Sequence, residues 1–307
     1  MGSKFAGMSA GLYLAAVGLQ AQSPGANGGG QPMSYQPTAE GYHGAYRAEF
    51  SQSFDSGLNR GAQSLGDFNT SLLELDYHAR FAVSDRYSWG VGAGWDYAHF
   101  DAPGSVPVPE TVQGVFFRLS NQWRFAERWN LRTELRPGLY SDFEDVSGDD
   151  FNVPITAILS YDYSPTLTLV AGINFNYQSD MPFIGGPGVI WRFAEGWQLR
   201  AVLPKPQVAY SPNDQWLFFA GGELKGVTAR VAENFGTLRG DATLNNDRLS
   251  YREIRVGAGF RYRFNRMLNV TVEGGYAVDR RFQFHESRLL LNGDGAPYAE
   301  VSLNGSY

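Results

Sequence analysis

The sequence predicts an all-β protein, a transmembrane antiparallel up-and-down β-barrel of about 14 strands, with 12 as the alternative count. Three observations support this fold class. Apolar and polar side chains alternate with a period of two in many segments after residue 43, which is typical of strands with one apolar and one wet face. Aromatic residues flank the short turns, as in the girdles of membrane barrels. Short turns alternate with much longer connections, which is the asymmetry of such barrels.

The composition restricts the class of protein. The chain has 307 residues, no cysteine and a formal net charge of −6. The absence of cysteine excludes disulfides and thiolate metal sites, and the negative charge argues against a nucleic-acid surface. The mean hydropathy is −0.30, and no apolar run after the start of the chain reaches the roughly 18 residues of a helical membrane span. The 17 Tyr, 21 Phe and 37 Gly suit strands with aromatic belts.

The N-terminal region is interpreted as a targeting segment followed by a linker. Residues 1–21 combine a basic start at Lys4 with a moderately apolar stretch and a plausible cleavage site before Gln22, which predicts a secretory signal peptide. An N-terminal core helix is the alternative. Residues 22–42 are rich in Gly, Pro, Ser and Gln, so we expect a flexible periplasmic leader. The barrel is therefore assigned to residues 43–307.

Each strand is assigned from an alternating apolar face. The predicted strands span residues 43–54, 69–83, 86–100, 115–125, 129–139, 153–163, 166–178, 186–194, 197–204, 206–211, 215–224, 254–264, 268–278 and 298–307. Longer connections are expected at 55–68, 101–110, 142–150, 225–247 and 281–297. The connection at 225–247 is long enough to contain a hairpin of its own. The count is softest near Pro204 and Pro206, because proline interrupts a ladder.

The barrel is predicted to be closed because its strands face the hydrocarbon of a membrane. Open strand edges cannot exist in hydrocarbon, so we expect residues 43–54 to pair with residues 298–307. A soluble β-sandwich or lipocalin-like barrel has the same period and is the alternative. The heavily charged polar faces and the aromatic residues beside nearly every short turn favour the membrane barrel.

Charged side chains recur on the polar face and are predicted to point into the lumen. The predicted lumen residues are Arg80, Arg118, Arg124, Arg132, Glu134, Arg136, Arg261, Arg263 and Glu273. Such residues could line an aqueous channel. Because both signs occur in near-equal number, they could also form a salt-bridged network that fills the interior. The alternate glycines Gly90, Gly92 and Gly94 are expected to remove bulk from the lumen.

The tripeptide His285–Glu286–Ser287 is similar to the His and Ser, two residues apart on one strand, of two outer-membrane lipid hydrolase families. A serine nucleophile needs a histidine within hydrogen-bond reach. The pattern predicts that Val278, Phe282 and Phe284 face lipid, so His285 and Ser287 would point inward, away from a lipid substrate. His285 and Ser287 are therefore weak catalytic candidates, and a solvated loop edge is the alternative.

No cofactor or metal site is predicted. The acidic loop 142–150 lacks the ligand spacing of an EF-hand, and a solvated loop accounts for its charge. The four histidines are scattered along the chain and form no metal-binding pattern.

Two resemblances involve the C-terminal half of the chain. Tyr307, preceded by Leu303 and other alternate apolar residues, resembles the C-terminal signal that the barrel assembly machinery reads in outer-membrane proteins. The segments WLFFAGGELKG (216–226), LSYREIRVGAGFRYRF (249–264) and LNVTVEGGYAVDRRFQF (268–284) resemble an uncharacterised bacterial outer-membrane β-barrel family, a domain of unknown function. The resemblance implies a barrel and no established activity.

These inferences predict a protein of the bacterial outer membrane after signal-peptide cleavage. Its expected partners are outer-membrane lipid, lipopolysaccharide and the barrel assembly machinery, with no nucleic acid; the oligomeric state stays open. The leading hypothesis is a passive pore or small-solute channel, or a structural barrel with a charged lumen, and not an enzyme. The alternatives are a lipid-processing enzyme of the acyl hydrolase type and a transporter of hydrophobic compounds.

Overall fold

A computed structural model describes residues 42–265 and 267–307, and these residues form one sheet that closes on itself. The predicted signal peptide and, apart from Tyr42, the predicted leader lie outside the described residues. The sheet contains the strand segments β1 (Tyr42–Arg60), β2 (Gln63–Ser84), β3 (Tyr87–Asp101), β4 (Thr111–Ala126), β5 (Trp129–Leu135), β6 (Gly138–Ser141), β7 (Phe151–Asn152), β8 (Ile155–Ser164), β9 (Leu167–Phe175), β10 (Phe183–Ala194), β11 (Trp197–Ala201), β12 (Gln207–Tyr210), β13 (Trp216–Arg230), β14 (Arg248–Arg263), β15 (Asn269–Phe284), β16 (Leu290–Gly293) and β17 (Ala296–Ser306).

These segments form fourteen barrel strands. Three of the barrel strands are interrupted, and each consists of two successive segments: β5 with β6, β7 with β8, and β16 with β17. Both parts of the first pair lie against β4, for example. Every other segment pairs antiparallel with the segments before and after it. The prediction of about 14 antiparallel strands is confirmed, and the alternative of 12 is wrong.

The first and last strands close the barrel. β1 pairs with β17 without interruption from Ala45 opposite Ser306 to Ser53 opposite Tyr298. Beyond that ladder, Gly44 and Tyr307 exchange two backbone hydrogen bonds of 3.0 and 2.9 Å. The predicted pairing of residues 43–54 with residues 298–307 is confirmed. No edge of the sheet is therefore left open to hydrocarbon among the described strands.

The two ends of the barrel differ in their connections. At one end, here called the short-turn end, tight turns follow β2, β4, β8 and β10. Gly196 in the last of these turns has φ +72°, the left-handed conformation that glycine adopts without strain. The opposite end, here called the loop end, carries longer connections. These span residues 102–110, 142–150, 176–182, 202–206, 231–247 and 285–289.

The outer surface carries exposed apolar side chains, and its aromatic rings form rows beside the short turns. Neighbouring ring centroids in these rows lie 4.7–6.2 Å apart. Two such rows consist of Trp123, Phe125, Trp129 and Tyr161, and of Trp191, Phe193, Trp197 and Tyr210. This is the girdle that amphipathic rings form at a membrane interface. None of the helices in the described ranges has the length and apolarity of a membrane span.

Three of the predicted loops are partly strand. The loop predicted at 281–297 is reduced to 285–289, because β15 continues to Phe284, β16 spans Leu290–Gly293 and β17 begins at Ala296. The loop predicted at 55–68 is wrong, because β1 continues to Arg60 and β2 begins at Gln63. The loop predicted at 225–247 is shortened to 231–247, and it contains two short 3-10 helices rather than a hairpin. Strand ends that extend beyond the hydrocarbon need no apolar outer face, so apolar alternation does not reveal them.

A β-bulge reverses the direction of the side chains within β15. Ile254 lies opposite Asp279 and Arg255 lies opposite Ala277, so Val278 is one extra residue on β15. Beyond this bulge Arg280, Phe282 and Phe284 are fully buried inside the barrel. The prediction that Phe282 and Phe284 face lipid is therefore wrong, because a bulge breaks the period of two. A second bulge, between Ser53 and Ser56, likewise precedes Leu58, which is fully buried.

Because the outer wall faces lipid, the effect of an added charge on the free energy of unfolding should depend on where it is placed. Val301 lies on β17 and its side chain is 44% exposed. We expect Val301→Arg to lower the free energy of unfolding in lipid bilayers by about 2–4 kcal/mol, the cost of arginine on the lipid face of a barrel. Equilibrium urea unfolding in vesicles measures this change.

The matched control is Val146→Arg, because Val146 is 48% exposed but lies in the 142–150 loop. We expect less than about 0.5 kcal/mol there, as for most surface substitutions. Equal effects at the two positions would contradict the assignment of the outer wall to lipid.

Candidate functional site

The interior of the barrel contains a dense layer of acidic and basic side chains at mid-height, here called the charged belt. Its members point inward from strands around the wall and from one loop. The charged belt consists of Arg47, Glu49, Glu74, Asp76, Arg118, Arg132, Glu134, Arg136, Lys205, Glu223, Lys225, Glu253, Arg255, Glu273, Arg280 and Glu300.

One half of the belt is built around Arg255 and Lys225. The guanidinium of Arg255 lies 2.6 Å from Glu253 and 3.3 Å from Glu300, and the Arg255 and Glu253 side chains are fully buried. Lys225 Nζ lies 3.0 Å from Glu300 and also contacts Glu49. These pairs join β1, β13, β14 and β17 across the lumen. Buried charges of this kind are tolerated only when they are paired and hydrogen-bonded.

Arg280 connects this half of the belt to the apolar residues at the loop end. Its Nε lies 3.3 Å from Glu253 Oε1, and its Nη2 donates to Thr70 Oγ1 at 3.0 Å. The face of the guanidinium stacks on Phe68, with 3.9 Å between Cζ and the ring centroid. A cation over an aromatic face is attracted by the ring quadrupole. Arg280 is thereby fixed on three sides.

The other half of the belt is built around Arg118 and Glu134. Arg118 Nη2 lies 2.6 Å from Asp76 Oδ2, and Arg118 Nε lies 3.5 Å from Glu134 Oε1. Glu134 also pairs with its neighbours along the strand, at 3.3 Å from Arg132 and 2.8 Å from Arg136. One carboxylate thus faces three guanidinium groups.

The glycines of β3 make room for this half of the belt. Gly92 lies opposite Arg118, and Gly94 lies opposite Phe116. A Cβ atom on Gly94 would lie 2.5 Å from the ring of Phe116. The space left by the missing side chain of Gly94 is therefore filled by the ring of Phe116, so this glycine does not widen the lumen.

The connection from β11 to β12 places the side chains of Val202 and Lys205 inside the barrel. Its residues 204–206 continue the ladder of β12 on β13, where Gly222 N donates to Pro206 O and Leu224 N donates to Pro204 O, both at 2.9 Å. Val202 packs with apolar side chains that point inward from β8, β9 and β10. The side chain of Lys205 reaches the charged belt, 2.7 Å from Glu273. This segment, here called the inward loop, narrows the interior beside the shortest strands of the wall.

An apolar layer, here called the apolar cap, fills the barrel at the loop end. It combines inward-facing strand residues with residues from three loops, and Phe235 and Leu244 of the 231–247 loop are fully buried in it. The apolar cap consists of Leu58, Phe68, Leu72, Ala98, Phe100, Val106, Val108, Val112, Ala229, Val231, Ala232, Phe235, Leu244, Leu249, Tyr251, Phe282, Phe284, Leu289 and Leu291.

A cavity of about 100 Å³ lies between the charged belt and the apolar cap. Belt residues Glu74, Arg136 and Lys225 contribute to its wall, and cap residues Leu72 and Tyr251 contribute the opposite side. At roughly 30 Å³ per water molecule in the liquid, it has room for a few waters or a small organic group. The interior therefore holds a polar pocket with an apolar roof.

Three of the predicted lumen arginines, Arg124, Arg261 and Arg263, lie at the short-turn end. Arg124 donates to the backbone oxygen of Glu127 at 3.1 and 2.6 Å, so it caps the turn between β4 and β5. Arg261 donates to Thr271 Oγ1 at 3.2 Å and lies within electrostatic range of Arg200 and Arg263. The interior at the short-turn end carries several arginines, whereas the acids of the belt lie nearer the loop end.

The remaining predicted lumen residues are distributed over both regions. Arg118, Arg132, Glu134, Arg136 and Glu273 belong to the charged belt. Arg80 lies on β2 opposite Gly90, toward the short-turn end. Sequence reasoning missed Lys205 and Lys225, whose segments were assigned to connections, and Arg280, which lies between the predicted strand 268–278 and the predicted loop 281–297. A basic residue flanked by strand-forming residues was the available signal for Lys225 and Arg280, but no sequence pattern indicated the inward loop.

The geometry does not join His285 and Ser287 as a catalytic pair. The carboxylate of Asp247 accepts backbone N–H groups of His285, Glu286 and Ser287 at 2.9–3.0 Å, which fixes the turn. His285 Nε2 lies 3.1 Å from Ser250 Oγ instead. Burial, with the nearby Arg248, lowers the pKa of His285, so the imidazole is neutral at pH 7. We therefore assign the tripeptide a structural role in the loop.

Three glutamates of the belt could in principle hold a cation. Carboxylate oxygens of Glu223, Glu273 and Glu300 lie within 4.8 Å of one another. Lys205 Nζ lies among them, at 3.2, 2.7 and 3.5 Å respectively. The ammonium of Lys205 occupies the position that a bound cation would take.

Comparison with known proteins identifies one matching family. The family described as "Domain of unknown function (DUF6268)" matches residues 69–291, well over half of the chain. No curated protein matches the sequence.

Several solved structures that match most of the chain have low sequence identity to it. A TodX monoaromatic hydrocarbon channel with the deltaS2S3 mutation is 8% identical, with a TM-score of 0.50 over 87% of this chain and 91% of that chain. An outer membrane channel from Pseudomonas putida F1 is 11% identical, with a TM-score of 0.48 over 90% and 99%. The P. putida toluene transporter TodX is 9% identical, with a TM-score of 0.41 over 88% and 91%. The first likeness shows a shared fold.

The belt predicts that a buried arginine within it contributes far more to stability than an arginine at the rim of the barrel. Arg118 is 1% exposed between two carboxylates, and we expect Arg118→Met to lower the free energy of unfolding by about 3–5 kcal/mol because Asp76 is left without its guanidinium. Arg124→Met is the control, since Arg124 contacts a backbone oxygen at the rim. Chemical denaturation followed by tryptophan fluorescence measures both, and equal losses would contradict a buried network.

Proposed function

The chain belongs to the family described as "Domain of unknown function (DUF6268)", and from its barrel we propose that it is a gated channel of the bacterial outer membrane for small polar solutes. The observation that carries the proposal is the charged belt. A barrel that served only as a structural element would need no cavity bordered by ionised groups in its interior. Polar and charged side chains around a lumen are the means by which channels select solutes.

The cavity between belt and cap supports a polar solute. Glu74, Asp96, Arg136 and Lys225 border it, so it offers both signs of charge within one small volume. A solute that carries hydrogen-bonding groups can exchange its water for these side chains, whereas an apolar solute would leave them unsatisfied.

The apolar cap and the inward loop support gating. The cap closes the loop end in this conformation, and part of it belongs to the 231–247 loop, which inserts Phe235 and Leu244. Loops are the segments with the lowest local stability, and they move most easily. Passage of a solute requires the 231–247 loop to withdraw, and the inward loop has to move or be bypassed.

The orientation and assembly of the barrel are part of the same proposal. Short turns face the periplasm and long loops face outward in bacterial outer-membrane barrels, so the short-turn end is assigned to the periplasm. Leu303 and Tyr307 are proposed to be read by the barrel assembly machinery. Outer-membrane lipid and lipopolysaccharide are the proposed surroundings of the wall and the loops.

A second candidate is a channel for small apolar compounds. One observation favours it: Phe100, Tyr251 and Phe282 form an aromatic cluster inside the cap, with ring centroids 4.5–5.0 Å apart. A solved structure of similar fold is described as a monoaromatic hydrocarbon channel. In this candidate the aromatic cluster binds the solute at the loop end, and the charged belt has to be bypassed.

Loosening the cap tests the channel proposal. We expect Phe235→Ser combined with Leu244→Ser to raise the open probability in planar bilayers about tenfold or more, because each polar side chain disfavours the buried position by more than the 1.4 kcal/mol that a factor of ten requires. The control is Leu238→Ser in the same loop, since Leu238 is 68% exposed, and it should match the unsubstituted protein.

The outcome that contradicts the channel is the absence of unitary current steps in both the unsubstituted protein and the cap variant, with the barrel correctly folded. The two candidates are separated by uptake into vesicles. A polar channel passes small sugars and amino acids in swelling assays, whereas an apolar channel increases only the flux of a compound such as toluene.

A further inference from the structure

One carboxylate in the wall of the cavity between the charged belt and the apolar cap has no cation of its own. The Asp96 carboxylate makes neither an ion pair nor a hydrogen bond within residues 42–265 and 267–307, and Arg118 and Arg136 act on it only from beyond ion-pair distance. The other charged residues that line this cavity each make an ion pair, namely Glu74, Arg136, Asp180, Lys225 and Arg252. Asp96 is therefore the lining residue whose charge a cationic ligand would compensate.

A second carboxylate lies directly opposite Asp96. In the ladder between β2 and β3, Glu74 is the cross-strand partner of Asp96, and both residues line the cavity. Like charges directly opposite each other on neighbouring strands destabilise a sheet. Arg47 and Lys225 each lie 3.6 Å from the Glu74 carboxylate. Both cations also contact Glu49, so they are shared between two acids and leave Asp96 uncompensated.

An amide group in another part of the cavity wall also lacks a partner. Asn174 lies on β9 and is 3% exposed, and its Nδ2 donates to Thr156 Oγ1 at 3.0 Å. Its oxygen, Oδ1, accepts no hydrogen bond from the described residues. A buried acceptor without a donor is unfavourable and calls for an explanation. Asn174 and Thr156 both line the cavity, so an N–H group of a ligand could supply the missing donor.

The volume and the roof of the cavity limit the ligand that it can hold. The volume is about 100 Å³. Since an apolar cavity of roughly 150 Å³ holds benzene, this cavity has room for about four or five non-hydrogen atoms. Leu72 and Tyr251 close it on the side of the apolar cap. A fitting ligand therefore carries a positive charge, N–H groups in several directions and a small apolar part.

We propose that this cavity is a binding site for small organic cations of the amidinium or guanidinium type. The planar head of such a cation donates two parallel N–H groups to the Asp96 carboxylate and a further N–H group to the oxygen of Asn174. The inference rests on the proposed channel function and names the class of solute that the channel takes up. It also accounts for the position of Asp96 opposite Glu74, which is unfavourable for the fold alone.

Three ligands of the same shape test the site on the folded, detergent-solubilised full-length protein. Acetamidinium carries the positive charge and N–H groups, acetamide is its neutral counterpart, and acetate is the anionic one. We expect isothermal titration calorimetry to show that acetamidinium binds at least about tenfold more tightly than the other two, because it supplies the charge that Asp96 lacks. Tetramethylammonium, which has the charge but no N–H group, should not displace acetamidinium.

Two substitutions of Asp by Asn separate the cavity from the rest of the lumen. We expect Asp96→Asn to weaken the binding of acetamidinium by about tenfold or more, because it removes the uncompensated charge. The matched control is Asp162→Asn, since Asp162 accepts from Thr168 Oγ1 at 2.9 Å and lies outside the lining of the cavity. It should leave binding unchanged. Asn174→Asp adds a carboxylate to the lining and should tighten binding, a gain that a purely structural residue would not produce.

The stability of Asp96→Asn without ligand gives an independent measurement. Because Asp96 lies opposite Glu74 without an ion pair of its own, we expect the free energy of unfolding of this variant to equal or exceed that of the unsubstituted protein. Chemical denaturation followed by tryptophan fluorescence measures it. A large loss of stability, or a failure to fold, would assign Asp96 a structural role and overturn the proposal.

The ligand series also decides on the unsubstituted protein alone. The proposal is overturned if acetamide or acetate binds as tightly as acetamidinium, or if Mg²⁺ or Ca²⁺ binds while acetamidinium does not. It is likewise overturned if Asp96→Asn binds acetamidinium as tightly as the unsubstituted protein does.

Current measurements separate this inference from the channel proposal. If the cap variant, Phe235→Ser with Leu244→Ser, conducts, acetamidinium should block it at concentrations about tenfold lower than it blocks the same channel with Asp96→Asn. Binding without any unitary steps would support the cation site and contradict the channel. Unitary steps with neither binding nor block would support the channel and overturn the cation site.

Discussion

The requirement that every backbone polar group of a membrane-embedded strand find a partner within the protein is the constraint from which the rest of the structure follows. It is met by the ladder between β1 and β17, which joins the two ends of a long chain. Closure then fixes two surfaces of opposite character. The outer surface can be apolar because it meets lipid, and the inner surface has to be filled, solvated or both.

The inner surface is filled in two different ways at two heights. Toward the loop end, three loops and several strand ends bring together an apolar core of the kind found in soluble proteins. At mid-height the side chains are charged and form ion pairs, and the acids Glu134, Glu253 and Glu300 each contact more than one cation. Such a network contributes little net stability compared with an apolar core of equal volume, because the desolvation of its members is costly. Its presence therefore favours a functional reason, and solute recognition is the one that fits its position in the lumen.

The fold could be predicted from the sequence because the period of two survives wherever one face meets lipid. The faces of β2, β3 and β4 and the pairing of the chain ends followed directly from that pattern. The period of two failed to predict the structure where neither face of a strand meets lipid or where a bulge interrupts the strand. The tips of β1, β2 and β13 stand outside the hydrocarbon, and the bulge at Val278 reverses the faces without any mark in the composition.

The interior was harder to predict than the wall. Arg118, Glu134 and Glu273 were assigned to the lumen from alternation alone, but no pattern revealed which charges meet. Lys205 was out of reach, because two flanking prolines made its segment appear to be a plain interruption of the ladder. Contacts across a lumen join residues that are far apart in sequence, as with Lys225 and Glu49, and they depend on the tilt and stagger of the closed sheet.

The extra residue at Val278 inverts the alternation of side chains along β15. Glu273 and Arg280 therefore both point into the barrel, although their positions in the sequence differ by an odd number. Lengthening or shortening this strand by a single residue would turn Arg280, Phe282 and Phe284 from the interior to the outer surface of the barrel. We therefore expect natural insertions and deletions within β15 to change its length by two residues at a time.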